Sequence, residues 1–396
     1  IVSTSFKEFK DRAITPASEN LYKKRADEVI NKLMNFIKYL PGNKNYNGIA
    51  QGPFKYKKIE DCYDQKVLDL SEKEAVSYVE NAINIAKKSG GKRSGGIFEY
   101  QVDNISLITS NDVEASDKLT SLYFSIRSNI NKLASGHETS CSRMLDKLDI
   151  ENTAIKAGEI AKLSKNPKSV EPGEYDILFE HLPFASLLNN VGSASSIFNV
   201  ESSLSFFYNK LNKKVDSPIV NLIDYGNLPN GLNTIKFDDE GVPTQKTTVI
   251  KNGILKNYLH NTSTAKRYKV KTTANAGLIA PETTNLFLEP GNYKKEELIK
   301  KIKHGLYVTN VWYTRFNNYF TGDFSTMPRD GAFFVKNGKI KYPVKNMRIS
   351  ENMLNVLNNI SALSKNLKQV RSWECQIPTV TPLVLCKAMK ITRPLL

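Results

Sequence analysis

Four cysteines, four histidines and two tryptophans are all that the 396 residues contain of these types, and no apolar run approaches the ~18–20 residues that a membrane-spanning helix requires. Cys62, Cys141, Cys375 and Cys386 are scattered, with no Cys-x-x-Cys pair and no framework spacing. A disulfide scaffold is thereby excluded, and free thiols in a reducing compartment are expected. No two of His137, His181, His260 and His304 lie three to five residues apart, so neither HExxH nor HExxxH exists. A histidine zinc site would have to be assembled from distant segments. The serine-nucleophile elbow GxSxG is missing, as are the phosphate loops GxxxxGK[ST] and GxGxxG. A glycine-rich stretch, SGGKRSGG at 89–96, follows a helix and reads as a surface turn. No charged start with an apolar block opens the chain, and a cytoplasmic, soluble protein with no membrane association is expected. The opening text IVSTSFKEFKDRA reads as a strand end entering a helix, which implies a missing piece before Ile1.

Acids are scarce in the last quarter. Residues 301–396 carry 15 bases and 4 acids, so +11 of the formal net charge of +16 sits there. The bases are spread singly through strand-like text such as FFVKNGKIKYPVKNMRIS and are not interleaved with stacking aromatics, so nucleic acid is not the expected partner. A solvated basic face or an acidic protein partner remains.

What is present is an ordinary globular profile, 40% hydrophobic and 24% charged, which excludes a disordered or fibrous chain. The first ninety residues read as helical. SENLYKKRADEVINKLMNFIKYL spaces apolar residues by three and four from Ser18 to Leu40, and SEKEAVSYVENAINIAKKSG carries a capping box at Ser71 and Glu74 and closes at Gly90. Text from 96 to 133 alternates as strands do, and DIENTAIKAGEIAKLSK predicts a further helix. Beyond NPKSVEPGEY the run YDILFE predicts a strand and FASLLNNV a helix. Short strands dominate after Ser217, with Asn252-Gly253 and Asn337-Gly338 as hairpin dipeptides, interrupted by helices at KKEELIKKIKHG and SENMLNVLNNISALSKN. These signals predict an α+β protein. Its N-terminal helix-and-sheet domain would cover 1–170 and its C-terminal, mainly antiparallel β domain 171–396.

Candidate metal ligands are few. GHETSC offers His137 and Cys141, but the segment reads as a strand giving way to a loop, with His137 an exposed loop histidine; His181 beside Glu180 is a second candidate. In FDDEGVPTQKT, Asp238, Asp239 and Glu240 stand together before Gly241, a turn whose carboxylates can bind a cation, cap backbone amides or be solvated.

Taken in order, FDDEGVPTQKTTVIKNGILKNYL, TTNLFLEPG, GLYVTN and TGDFS resemble the C-terminal half of the TldD/PmbA (TldD/TldE) peptidases, and the likeness extends upstream through EPGEYDILFEHLPFASLL. The resemblance implies a zinc metalloprotease that cleaves unstructured peptides, built as a dimeric shell around a cavity. One branch of that family carries HExxxH on the helix after the strand that reads YDILFE here, with a cysteine ligand near the C-terminus. This chain has FASLLNNVGSASS there, with Leu187, Leu188, Asn189 and Asn190 where ligands would be sought. It thus resembles the PmbA/TldE branch, the subunit without its own metal motif, and zinc is expected in a TldD-like partner, although a homodimer is also open. Motif membership makes Asp238, Asp239, Glu240, Asn275, Asp323 and Ser325 candidates for facing the peptide cavity. Two alternatives remain: a stand-alone metal-dependent peptidase using His181 or His137 with Cys375, and a non-enzymatic binding protein using its basic C-terminal surface.

Overall fold

The computed structural model describes residues 45–393 throughout, the backbone of residues 3–10 and 13–20, and a few single positions between 28 and 39. At the start, β1 (Ser3–Lys10) and β2 (Ala13–Asn20) pair antiparallel, with Ser5 opposite Ser18. The expected passage from strand into helix within the first thirteen residues is therefore a hairpin, and Ser18 is a strand residue instead of a helix cap. Thr, Ile and Phe favour strands, and Pro16 obstructs any helix running through this segment. The remainder of the helix predicted to reach Leu40 lies almost wholly outside the described residues.

A first layer follows from clear local signals. Helix α1 (Glu72–Lys88) starts at Ser71, whose hydroxyl and the Glu74 carboxylate form the reciprocal capping box, and stops before Gly90 at φ 124°. The long strands β3 (Arg93–Thr109) and β4 (Val113–Asn131) and the shorter β5 (Ala134–Ser142) make an antiparallel sheet in that order. Residues Arg93–Gly96 of the glycine-rich stretch are paired in β3 and do not form a free turn. Helix α2 (Ile150–Leu163), capped by Asp149, packs with α1 on this sheet. Ala82, Ala86, Ala154 and Ala157 form the contact with Phe124 and Ile126. The helices meet so closely that a Cβ on Gly158 would lie 2.5 Å from the Ala86 carbonyl oxygen.

The C-terminal half consists of two sheets around a buried helix. The short strand β6 (Lys168–Ser169) and β7 (Gly173–Phe179) open it, and β7 ends in Ile177, Leu178 and Phe179, each fully buried because the strand is covered on both faces. One sheet contains β8 (Leu222–Tyr225), β9 (Lys246–Lys251), β10 (Ile254–Leu255), β11 (Leu286–Leu288), β19 (Lys368–Ser372) and β20 (Cys375–Thr381), in the order β10-β9-β8-β11-β20-β19. The other runs β13-β14-β17-β21-β7-β12-β15-β16-β6. Its further strands are β12 (His304–Val308), β13 (Val311–Asn318), β14 (Asp323–Pro328), β15 (Ala332–Lys336), β16 (Lys339–Lys345), β17 (Arg348–Asn352) and β21 (Val384–Thr392), with β18 (Ile360–Leu363) paired to β21. Most pairs are antiparallel; β7–β12, β11–β20 and β6–β16 are parallel. The architecture is α+β, as expected from the element pattern.

Both Asn-Gly dipeptides turn hairpins, with φ 49° and 76° at Asn252-Gly253 and 50° and 70° at Asn337-Gly338. The helix expected through SENMLNVLNNISALSKN is much shorter. Only α5 (Met353–Asn358) is helical, because Ser350–Asn352 continue β17 and Ile360–Leu363 pair with β21. Likewise α4 (Lys295–Lys300) stops where β12 begins its ladder at His304. Helix α3 (His181–Ala194) is buried on nearly every face and touches strands of both sheets, as a helix apolar all round must. No helix among the described residues is long and apolar enough to cross a membrane.

Candidate functional site

Helix α3 is where the sequence directs attention, and its four suspected positions do different things. Leu187 and Leu188 enter the main core, and the Asn190 amide donates to the Ser186 carbonyl within its own helix. Only Asn189 reaches the C-terminal cysteine. Its Nδ2 lies 3.1 Å from Cys375 Sγ and 2.9 Å from the Ile377 carbonyl, and its Oδ1 accepts from the Ile377 amide at 2.7 Å. The rest of the helix stripe facing Cys375 is Leu182 and Ala185, which cluster with Val370 and the thiol. Burial pushes the Cys375 thiol up to about 12, so it stays protonated.

At the N-terminus of α3, His181 and Glu180 sit in a polar cluster. His181 Nδ1 is 3.0 Å from Glu180 Oε2, while Glu180 Oε1 accepts from Lys295 Nζ at 2.7 Å and from the Tyr307 hydroxyl. Burial opposes the Glu180 charge, yet His181 and Lys295 hold its carboxyl well below the usual range, whereas burial drives the Tyr307 hydroxyl well above its own. Sequence reading named His181 but missed Lys295 and Tyr307, which arrive from segments 115 and 127 residues away from Glu180.

The turn at 238–240 is a structural hub. Asp238 is buried; Oδ1 accepts from the amides of Glu240 and Val242 at 3.0 and 2.9 Å, and Oδ2 from that of Ala276 at 2.9 Å. Burial raises its carboxyl to about 7 despite these bonds. Glu240 is also buried and accepts from the Thr262 amide, but Asp239 is exposed and its amide donates to the Ala276 carbonyl. Asn275 joins the same network by donating to Asp224 at 2.5 Å, and Asp224 also accepts from the amide and hydroxyl of Thr284. Asp224, raised to about 6 by burial, escaped notice, although a lone acid inside the apolar strand LIDY is a signal of a satisfied buried carboxylate. Accordingly, Asp238→Ala is expected to cost about 2–4 kcal/mol by orphaning three amides, while Asp239→Ala stays within about 1 kcal/mol. Urea unfolding of the two variants checks this, and equal losses would refute it.

Asp323 and Ser325 lie apart from that hub, on β14 of the large sheet. Asp323 is exposed and bonded to Thr321 and Asn352, and Ser325 accepts from Arg348. His137 is not an exposed loop residue. It is a buried member of β5, held between Ser125 Oγ at 2.9 Å and Asn310 Nδ2 at 3.1 Å, and burial lowers its pKa to about 4. Because β5 is extended, His137 and Cys141 are separated by four strand steps of roughly 3.3 Å each and cannot share an ion as they would across a helical turn.

Residues 172–393 match the C-terminal domain of the PmbA/TldA metallopeptidases, and residues 65–165 match the central domain of the same proteins. The chain belongs to the PmbA/TldD metallopeptidase family. An uncharacterized protein of Methanocaldococcus jannaschii is 29% identical over 302 residues, 74% of this chain and 70% of that one. A metalloprotease of the same archaeon is 30% identical over 227 residues, and a PmbA-homologue metalloprotease of Buchnera aphidicola 29% over 248. These two matches cover 55% and 62% of this chain but only 49% and 54% of the metalloproteases, so the chain spans about half of their length. The crystal structure of TldE from Thermococcus kodakarensis superposes with a TM-score of 0.88 at 20% identity, covering 98% of this chain and 90% of that one, which establishes the shared fold.

PmbA/TldD membership raises the question of zinc. A zinc site needs three or four nitrogen, sulfur or oxygen ligands. Around Cys375 the structure places Leu182, Ala185, Val370 and an asparagine already bonded to backbone, and among the described residues no group of three His, Cys, Asp or Glu side chains could hold a metal. The residues at this place do not fit zinc.

Proposed function

We propose that this chain is the PmbA/TldE-like subunit of a cytoplasmic PmbA/TldD-type metalloprotease that cleaves unstructured peptides, with zinc supplied by a TldD-like partner. One observation carries the reading. The thiol that the family resemblance sets beside a metal is here protonated and enclosed by Leu182, Ala185 and Asn189. The chain's own contribution would be to shape the cavity and hold the substrate. Strand β13, at one edge of the large sheet, offers a line of backbone groups to an extended peptide, interrupted where the Tyr313 and Thr314 amides donate to Glu374. Asp239 is the exposed acid of the 238–240 turn and could contribute to such a surface.

Metal analysis of the purified chain, combined with peptidase assays with and without a HExxxH-bearing partner, tests the proposal. The expected result is no stoichiometric zinc and no cleavage alone, with chelator-sensitive cleavage when the two are mixed. If the +11 quarter meets an acidic partner, association should slow as salt rises. One equivalent of zinc lost in His181→Ala, or chelator-sensitive cleavage by the chain alone, would overturn the reading.

A further inference from the structure

A cavity of about 420 Å³ opens between α2 and the β12–β15–β16 part of the large sheet, with Glu180 and Tyr307 in its wall. Its size falls in the range of small-ligand sites. The apolar wall is Ile160, Leu163, Leu182, Phe333 and Ile340. Leu163 and Ile340 are 63% and 45% exposed, an arrangement that leaves apolar surface in water unless something covers it.

The polar lining is balanced in sign. Three carboxylates, Glu138, Glu159 and Glu180, face the space together with three ammonium groups, Lys156, Lys295 and Lys341. Lys295 is paired with Glu180 and Glu138 with Lys368, which lies outside this set, and His181 also lines the space. Glu138 uses only Oε1, for Lys368 at 2.6 Å and the Thr139 amide at 3.0 Å; its Oε2 has no bond to a described residue. Lys156, Lys341 and Glu159 make no hydrogen bond or ion pair with described residues and stand at the rim, Lys156 near enough to Glu138 for its charge to help hold that carboxyl low. A ligand carrying one sign of charge would therefore meet as much repulsion as attraction. A zwitterion with an apolar body can use both signs and the wall together.

We infer that this cavity binds a short apolar peptide or amino acid in zwitterionic form, its carboxylate toward Lys156 and Lys341 and its ammonium toward Glu138 Oε2 and Glu159. The site is distinct from Cys375 and needs no metal, so it stands or falls separately from the partner-subunit reading. Calorimetric titration of the full chain with leucyl-phenylalanine, its N-acetyl form, its C-terminal amide and glutamyl-aspartate tests it. Leucyl-phenylalanine should bind, and each capped form should bind about tenfold or more weakly, as expected for the loss of a charge-assisted contact. Ile340→Glu, at an exposed position, should weaken binding by a similar factor at an unchanged unfolding temperature. No binding of leucyl-phenylalanine, equal affinity for all four compounds, or an Ile340→Glu variant that binds as well as the unchanged protein would each overturn the inference.

Discussion

Replacing Arg143 with alanine is expected to remove about 3–5 kcal/mol of stability, a larger loss than that expected of Asp238→Ala. The residue follows β5, is 3% exposed, and has no carboxylate within ion-pair distance among the described residues. Its guanidinium instead donates to four carbonyls: Nε to Gly231 at 2.6 Å, Nη1 to Thr120 at 2.8 Å, and Nη2 to Leu232 and Thr234 at 2.5 and 2.8 Å. Three of those carbonyls belong to the C-terminal half and one to β4, so a single side chain fastens the first sheet to the loop that leads toward the 238–240 turn. Burial lowers its pKa, while the negative charges of Asp103 and Asp117 pull the other way. Truncation would leave buried acceptors without donors, a larger penalty than the net value of the bonds themselves. Arg143→Lys should recover only part of the loss, because one ammonium cannot span the fork of acceptors. Urea unfolding followed by circular dichroism gives the measurement, and a loss below about 1 kcal/mol would show that the seam is held by other contacts.

Raising the pH from about 4 to about 8 is expected to weaken the fold, at up to about 1.4 kcal/mol per pH unit for each proton involved. Asp224 and Asp238 have carboxyls raised by burial to about 6 and about 7, and that of Asp216, whose buried Oδ2 has no hydrogen-bond partner among the described residues, is driven well above its ordinary value. In this window the folded chain holds protons that the unfolded chain has already released. For these three carboxyls the difference in bound protons between unfolded and folded states is thus negative, and their contribution falls as pH rises through the folded pKa values, while His137 and His260, lowered by burial to about 4, release theirs earlier in the folded chain and offset part of that fall below about 6.5. Glu138 and Glu180 act in the opposite sense. Burial opposes their charge, but Lys368 and Lys156 beside Glu138, and His181 and Lys295 beside Glu180, hold both carboxyls low, so their contribution is present above the ordinary glutamate pKa and is lost under stronger acid. Maximum stability should consequently fall on the mildly acidic side of neutrality. Unfolding free energies at intervals across this pH window would show the slope, and Asp238→Asn should flatten it whatever its effect on absolute stability. A slope unchanged in that variant would mean that Asp238 is ionised throughout the window.

The elements that read correctly are those whose signals are local. The Ser71–Glu74 capping box, the helix through DIENTAIKAGEIAKLSK, the two Asn-Gly turns and the alternation of β4 each depend on sterics and hydrogen bonds within a few residues, so the sequence by itself determines them. Family membership was legible for a related reason, since it rests on ordered strings along the chain. Local text failed where long-range pairing competed with it. The helix expected through SENMLNVLNNISALSKN lost both ends to ladders with β14 and β21, and GHETSC became the buried strand β5 because β4 and Asn310 supplied its partners.

The site was decided almost entirely by tertiary structure. Asn189 and Cys375 are 186 positions apart in sequence yet 3.1 Å apart in space, and Asn275 meets Asp224 across 51 positions, while Asp323 and Ser325, taken from an equally suggestive motif, sit on another sheet. No periodicity encodes such juxtapositions, because they arise when two sheets close on α3 and each buried polar group must find a partner among whatever the topology brings near. Composition and spacing could exclude a histidine metal helix; only the packed structure could show what occupies its place, an amide and two apolar side chains against a protonated thiol.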